Sequence, residues 1–169
     1  RLAPDMTDST TTGSATTDTR KHFPHLAEML ALVGQQLATS PWVTVDQQRI
    51  NLFAEATGDH QWIHVDVERA KAGPYGAPIA HGFLTLSLLP ELNASAMAID
   101  DVKMSVNYGL NRVRFTGPVP AGSRVRAIIK LKEYQAIDGG AQLTTEVTIE
   151  REGAAKPVCV AEAVSRRFT

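Results

Sequence analysis

From Asp101 onward apolar and polar residues alternate with a period of two. Strands are expected near Val102–Tyr108, Arg112–Phe115, Arg124–Tyr134, Ala141–Arg151 and Val158–Arg167. The pattern is cleanest where Val125, Ala127, Ile129 and Leu131 alternate with Arg124, Arg126, Ile128, Lys130 and Lys132. Leu143, Thr145, Val147 and Ile149 alternate in the same way with Thr144, Glu146, Thr148 and Glu150, and Asp138-Gly139-Gly140 between the two runs reads as a hairpin turn. One face of this hairpin is expected to be core and the other wet, with Lys and Glu paired across the strands.

Before Asp101 the spacing changes to three and four. Leu26, Met29, Leu30, Val33 and Leu37 predict an amphipathic helix over Phe23–Leu37, with Pro24 in its first turn. Trp42–Val45 is a short strand by its β-branched and aromatic content. Asp46 can cap a helix that buries Ile50, Phe53, Ala54 and Thr57 and stops at Gly58. Asp59–Val65 should then be a turn, before Asp66 caps a shorter helix to about Lys71. Gly73, Pro74, Gly76 and Pro78 mark a loop. His81 to about Leu92 is apolar on most faces, which places it as one helix in the middle of the core.

Helices followed by a run of antiparallel strands is an α+β pattern, and a helix without a polar face needs a sheet wrapped around it. Residues 21–169 are expected to form a single domain. Residues 1–20, rich in Thr, Ser, Asp and Gly, read as a disordered tail, with the five residues before Met6 an expression scar.

Composition narrows the function more than the fold. A net charge of -1 over 169 residues provides no footprint for nucleic acid or an anionic membrane. No stretch approaches the roughly 20 apolar residues of a membrane span. Cys159 is the single cysteine, so no intrachain disulfide forms, and a cytoplasmic enzyme is expected.

Candidate chemistry sits in Gly58-Asp59-His60-Gln61-Trp62-Ile63-His64 and Ala80-His81-Gly82. A carboxylate and an imidazole five positions apart in a polar kink can share acid and base work. A glycine opening a helix can bring its N–H close to a developing oxyanion. The plainer readings are a turn acid for Asp59, a hydrogen-bonded structural histidine for His64 and a packing glycine for Gly82. His60, His64, Asp66 and His81 show no metal-ligand spacing, so no metal is expected; His60 reads as a solvent-side neighbour and His81 as shaping the pocket mouth. Arg124, Arg126, Lys130 and Lys132 could meet phosphates, as could Arg112 and Arg114, but a solvated face paired with Glu146 and Glu150 explains the strand cations as well.

The stretch Phe53–His64, then Ile79–Phe83 and Asn111–Gly122 with its Arg-Phe-x-x-Pro-Val, resembles the MaoC-like family of R-specific enoyl-CoA hydratases. The motifs cover roughly Gln47–Gly122, and Gln61-Trp62 stands where many relatives have Asn-Pro, a change that bears on pocket shape near the acyl chain. The resemblance implies a hot dog fold, a curved antiparallel sheet wrapped on one long helix, assembled as a homodimer. It implies reversible hydration of trans-2-enoyl-CoA to (R)-3-hydroxyacyl-CoA in fatty acid metabolism, with CoA part of the substrate and no other cofactor. Asp59 and His64 would hold a water, and the Gly82 N–H would polarise the thioester carbonyl. An acyl-CoA thioesterase and a non-catalytic acyl-thioester-binding subunit are the rival readings.

Overall fold

A computed structural model describes residues 17–169, so the expected tail lies outside the described residues except at its end, where Asp18 binds Arg20 and His22. His22 reaches on to Asp100, and these bonds raise its pKa.

The hairpin forms as the alternation requires. Strands β6 (Ser123–Ile137) and β7 (Gly140–Arg151) pair antiparallel, and Gly139 takes φ 73° in the turn. Val125, Ala127, Leu131 and Ile149 are fully buried, while outward Arg126 bonds Glu150 at 2.9 Å and Lys132 bonds Glu162 at 2.7 Å. Strand β8 (Cys159–Phe168) follows, then β5 (Met104–Phe115) at the edge. The two strands expected over 102–115 are thus one, carrying register shifts near Asn107 and Leu110 that break its alternation. Strands β2 (Gln36–Thr39) and β3 (Val43–Val45) both pair with β6 at the other side. A separate parallel pair joins β1 (Lys21–Phe23) to β4 (Met97–Ile99).

The helix expected over Phe23–Leu37 does not form. A 3₁₀ helix spans Leu26–Leu32, Gly34 turns the chain at φ 87°, and β2 follows. Leu26, Met29 and Leu37 are buried as their spacing implied, but Leu30 and Val33 are exposed. Pairing with β6 competes for this segment: Gly34 N–H donates to the Leu131 carbonyl and Gln36 registers with Lys130.

Helix α1 (Gln47–Thr57) matches its expected bounds. Asp46 accepts from the Arg49 N–H at 2.8 Å, and Gly58 closes it at φ 78°. Asp59–Val65 is not all turn, because a single helical turn, α2 (Trp62–Val65), holds His64. Asp66 then caps α3 (Val67–Lys71).

The central helix is two, α4 (Gly82–Ser87) and α5 (Leu89–Ala96), since Pro90 has no N–H to continue the ladder. Nor is it hidden on every face. Leu84, Leu88, Leu92 and Ala96 form a buried stripe at spacings of four, whereas Phe83 is 67% exposed. Helix α4 packs on β8 and α5 on β6. A helix pair held against an antiparallel sheet is the hot dog architecture, and it brings the start of α4 beside the end of α1. Cys159 is fully buried beneath it, which pushes its thiol up to about 11 and leaves it inert.

Candidate active site

Three elements meet at the end of α1. Gly58 ends that helix, Asp59 turns the chain outward, and α2 carries His64 back into the protein, where it is 6% exposed. The Asp59 carboxylate accepts from the Gln61 N–H at 3.3 Å, a local bond that orients it while leaving it open to solvent.

His64 is fixed from two sides. Its ring Nδ1 lies 2.6 Å from the Ile79 carbonyl, which can only accept, so Nδ1 carries the proton and Nε2 presents a lone pair. Gln47 Nε2 donates to the His64 backbone carbonyl at 2.7 Å. Burial lowers the His64 pKa, opposed by the Ile79 bond; nearby His81 lowers it further and Asp59 raises it. Burial dominates, so the imidazole is neutral near pH 7.

His81 does not sit at the pocket mouth. It is 2% exposed and stacked on His64, with ring centroids 3.8 Å apart and planes 25° from parallel. Its Nε2 donates to the Asp59 backbone carbonyl at 2.9 Å, and Phe53 closes over its ring at 4.9 Å. Nδ1 of His81 is buried without a partner.

Asp59, His64 and His81 each offer a ligand atom within 4.8 Å of the others, the spacing of a metal cluster. Ring orientation argues against a shared ion. Near-parallel stacked imidazoles direct their in-plane lone pairs along separate planes, and one ion about 2.1 Å from each nitrogen cannot lie in both. The same spacing puts a carboxylate oxygen of Asp59 within 4.8 Å of a ring nitrogen of His64.

His64, Gly82 and Thr85 line a cavity of about 410 Å³ together with Ile79, Phe115 and Val158. Gly82 is the first residue of α4, so its N–H has no partner inside the helix. A Cβ there would come within 2.8 Å of the Phe115 ring. A larger residue would require the Phe115 ring to shift, while at glycine the N–H remains available.

The other candidates lie elsewhere. His60 is exposed, 3.7 Å from Glu55. Arg124 is bound to Glu152, and Arg126 both bonds Glu150 and lies over Trp42 at 4.5 Å. Arg112 and Arg114 are exposed on β5, and Arg114 donates to the Val113 carbonyl. Trp62 leaves the cavity: its ring packs on Gly73 under the Arg69 guanidinium at 4.3 Å, so the Gln61-Trp62 change shapes the α2–α3 surface and not the cavity wall. Sequence reading missed the Ile79 carbonyl, Gln47 and Phe115. Spacing carries no signal for the first, since any loop residue could supply that carbonyl.

Comparison with known proteins shows the family and the fold. The family described as MaoC like domain matches residues 28–153. 3-Hydroxyacyl-thioester dehydratase Z of Mycobacterium tuberculosis (strain ATCC 25618 / H37Rv) is 53% identical over 145 residues, covering 85% of this chain and 96% of that protein. Nodulation protein N of Rhizobium meliloti (strain 1021) is 48% identical over 143 residues, covering 83% and 89%. Among solved structures, an (R)-hydratase from A. caviae involved in PHA biosynthesis superposes with a TM-score of 0.63 at 24% identity, covering 79% of this chain and 94% of that one, a likeness of fold.

Proposed function

The chain belongs to the MaoC-like domain family, and we propose that it reversibly hydrates trans-2-enoyl-CoA to (R)-3-hydroxyacyl-CoA in fatty acid metabolism. It is a hydro-lyase of the dehydratase and hydratase kind. The observation that carries the finer reading is the free Nε2 of a neutral His64, beside the Asp59 carboxylate and in one cavity with the Gly82 N–H.

In the hydration direction a water held between Asp59 and His64 loses a proton to the pair as its oxygen bonds C3. The electrons of the C2–C3 double bond move toward the thioester, whose oxygen gains charge and takes the Gly82 N–H as donor. The pair then returns a proton to C2, and no proton or electron is left over. His64 Nε2 accepts in the first step because its other nitrogen is held protonated by Ile79. His81 holds the Asp59 backbone and stacks on His64, so its role in this reading is positioning. The chemistry is redox-neutral and calls for no cofactor beyond the CoA of the substrate.

Residues 21–169 are taken as one domain, working in the cytoplasm as a homodimer. Support for the dimer is the outer edge of β5, unpaired among the described residues, with Met104, Val106, Tyr108, Leu110 and Phe115 exposed along it. Phe83 extends this apolar face and meets Phe115 edge-on, centroids 5.8 Å apart.

The test follows loss of the enoyl thioester's ultraviolet absorbance, with free thiol assayed in parallel and the product offered to stereospecific 3-hydroxyacyl dehydrogenases. Hydration without thiol release, giving the R product, is expected. Thiol release would mark a thioesterase, and silence in both assays a binding subunit.

A further inference from the structure

A second cavity, of about 370 Å³, lies between the helices and the sheet and shares no lining residue with the first. Its floor on the β6 and β7 side is mainly apolar, with Ala127, Ile129 and Val147 beside Thr145, and Leu86 and Leu89 face them from helices that also bring Ser87 and Asn93. Toward β8 and β5 its character changes. Ser165 and Arg167 alternate with outward Arg166 on the same face of β8 as buried Cys159 and Ala161. Arg167 registers with Ala141 and with Ser105, and Ser165 with Asn107.

An arginine at a core-facing register normally has a carboxylate partner. Arg167 has none among the described residues. Its Nε donates to Ser165 Oγ at 3.3 Å and its Nη1 to Ser105 Oγ at 3.0 Å, two neutral hydroxyls that orient the guanidinium without balancing its charge. Burial pushes its pKa down, the sign of an uncompensated cation. Arg166, its neighbour on the outer face, is instead placed over Tyr108 at 3.6 Å and bonded to Gln142.

An apolar floor ending at one oriented, uncompensated guanidinium defines a ligand with both features. We propose that this cavity binds an aliphatic chain ending in a carboxylate, with Arg167 as its counter-ion and the helix leucines against the chain. The carboxylate accepts from the guanidinium hydrogens that Ser105 and Ser165 leave free. Its source is either a free aliphatic acid or the far end of an ω-carboxy acyl thioester.

Calorimetric titration of the full chain with octanoate, and with 1-octanol as the uncharged control, tests the site. Octanoate is expected to bind with one site per chain, and Arg167→Met to weaken it about tenfold or more. Arg167→Met itself should fold with an unchanged or raised melting temperature, since it removes a partly buried charge that has no carboxylate partner among the described residues. Arg167→Lys, which keeps the charge, should retain part of the affinity, and Asp59→Asn all of it. A second arm, which rests on the hydratase reading, compares kcat/KM for a medium-chain 2-enoyl-CoA ending in carboxylate with the same thioester ending in methyl. A preference for the carboxylate, lost in Arg167→Met, identifies the far end of the substrate; octanoate binding without that preference identifies a free acid. Octanoate affinity equal in wild type and Arg167→Met, affinity lost in Asp59→Asn, or no octanoate binding and no preference would each overturn the proposal.

Discussion

The β6–β7 hairpin and the cluster around His64 solve the problem of burial in opposite ways. Along the hairpin, Val125, Ala127, Ile129, Leu131, Leu143, Val147 and Ile149 take the buried positions, and the charges of Arg126 and Glu150 stay on the outer face. At the site two imidazoles are buried, at 6% and 2% exposure, with a carboxylate beside them and one nitrogen of each ring, His81 Nδ1 and His64 Nε2, without a hydrogen bond. Among its described residues the hairpin buries one polar side chain, Thr144 at 4% exposure, and fills its other buried positions with apolar groups, because burying polar ones costs free energy. The site keeps them and satisfies half of each ring with a backbone carbonyl, His64 through Ile79 and His81 through Asp59. The unsatisfied halves are where chemistry is available. A fold-bearing region and a working region therefore differ less in residue burial than in whether hydrogen bonding is complete.

That contrast breaks most visibly if the two regions are altered in turn. Asp59→Asn and His64→Ala should each lower kcat/KM for hydration by about 10²- to 10⁴-fold, with melting temperature almost unchanged; near-normal turnover in either would remove the pair from the mechanism. Ile149→Ala, in the hairpin, should do the reverse. Denaturant unfolding is expected to show a loss of about 2 to 5 kcal/mol, while the folded fraction keeps its kcat.

His81→Phe sharpens the comparison, because it keeps an aromatic ring against His64 while removing the bond to Asp59 and the electrostatic effect of His81 on His64. A fall in kcat/KM of about tenfold is expected from the loosened Asp59 backbone. A purely structural His81 would shift the melting temperature and leave the pH profile in place, whereas a positioning residue moves the acid limb, since it also lowers the His64 pKa.

The pH dependence has a definite sign. His64 in the folded chain titrates below its ordinary 6.5, so between the two values the unfolded chain binds more protons and stability rises with pH. Its contribution is present above 6.5 and lost as pH falls through the folded value. The acid limb of kcat/KM should accordingly lie below pH 6.5, and a midpoint above 7 would contradict the burial of a neutral ring. The smallest effect belongs to the hairpin's surface: Arg126→Ala should change stability by about 0.5 kcal/mol or less, measured by the same denaturant titration.

Period-two alternation specified β6, β7 and β8, and the caps at Asp46, Gly58 and Asp66 specified α1 and α3, because each of these depends on neighbours within a few residues. The spacing of Asp59 and His64 was legible for the same reason. The 3₁₀ helix and β2 were not, since Leu26, Met29 and Leu37 satisfy a helical period equally well and only the waiting edge of β6 selects the strand. The joined strand β5 depends on bulges that register with β8 sets.

By itself, then, the sequence determined which residues are candidates and the helix α1 with the caps that end beside Asp59, but not the helical turn that carries His64 or the break after α4. Tertiary structure decided how they are held. The Ile79 carbonyl, 15 residues from His64, chooses which ring nitrogen holds the proton, and the Phe115 ring on β5 occupies the space that a side chain at position 82 would need. Both are contacts between segments distant in the chain, and a local pattern of polar and apolar residues has no term for them.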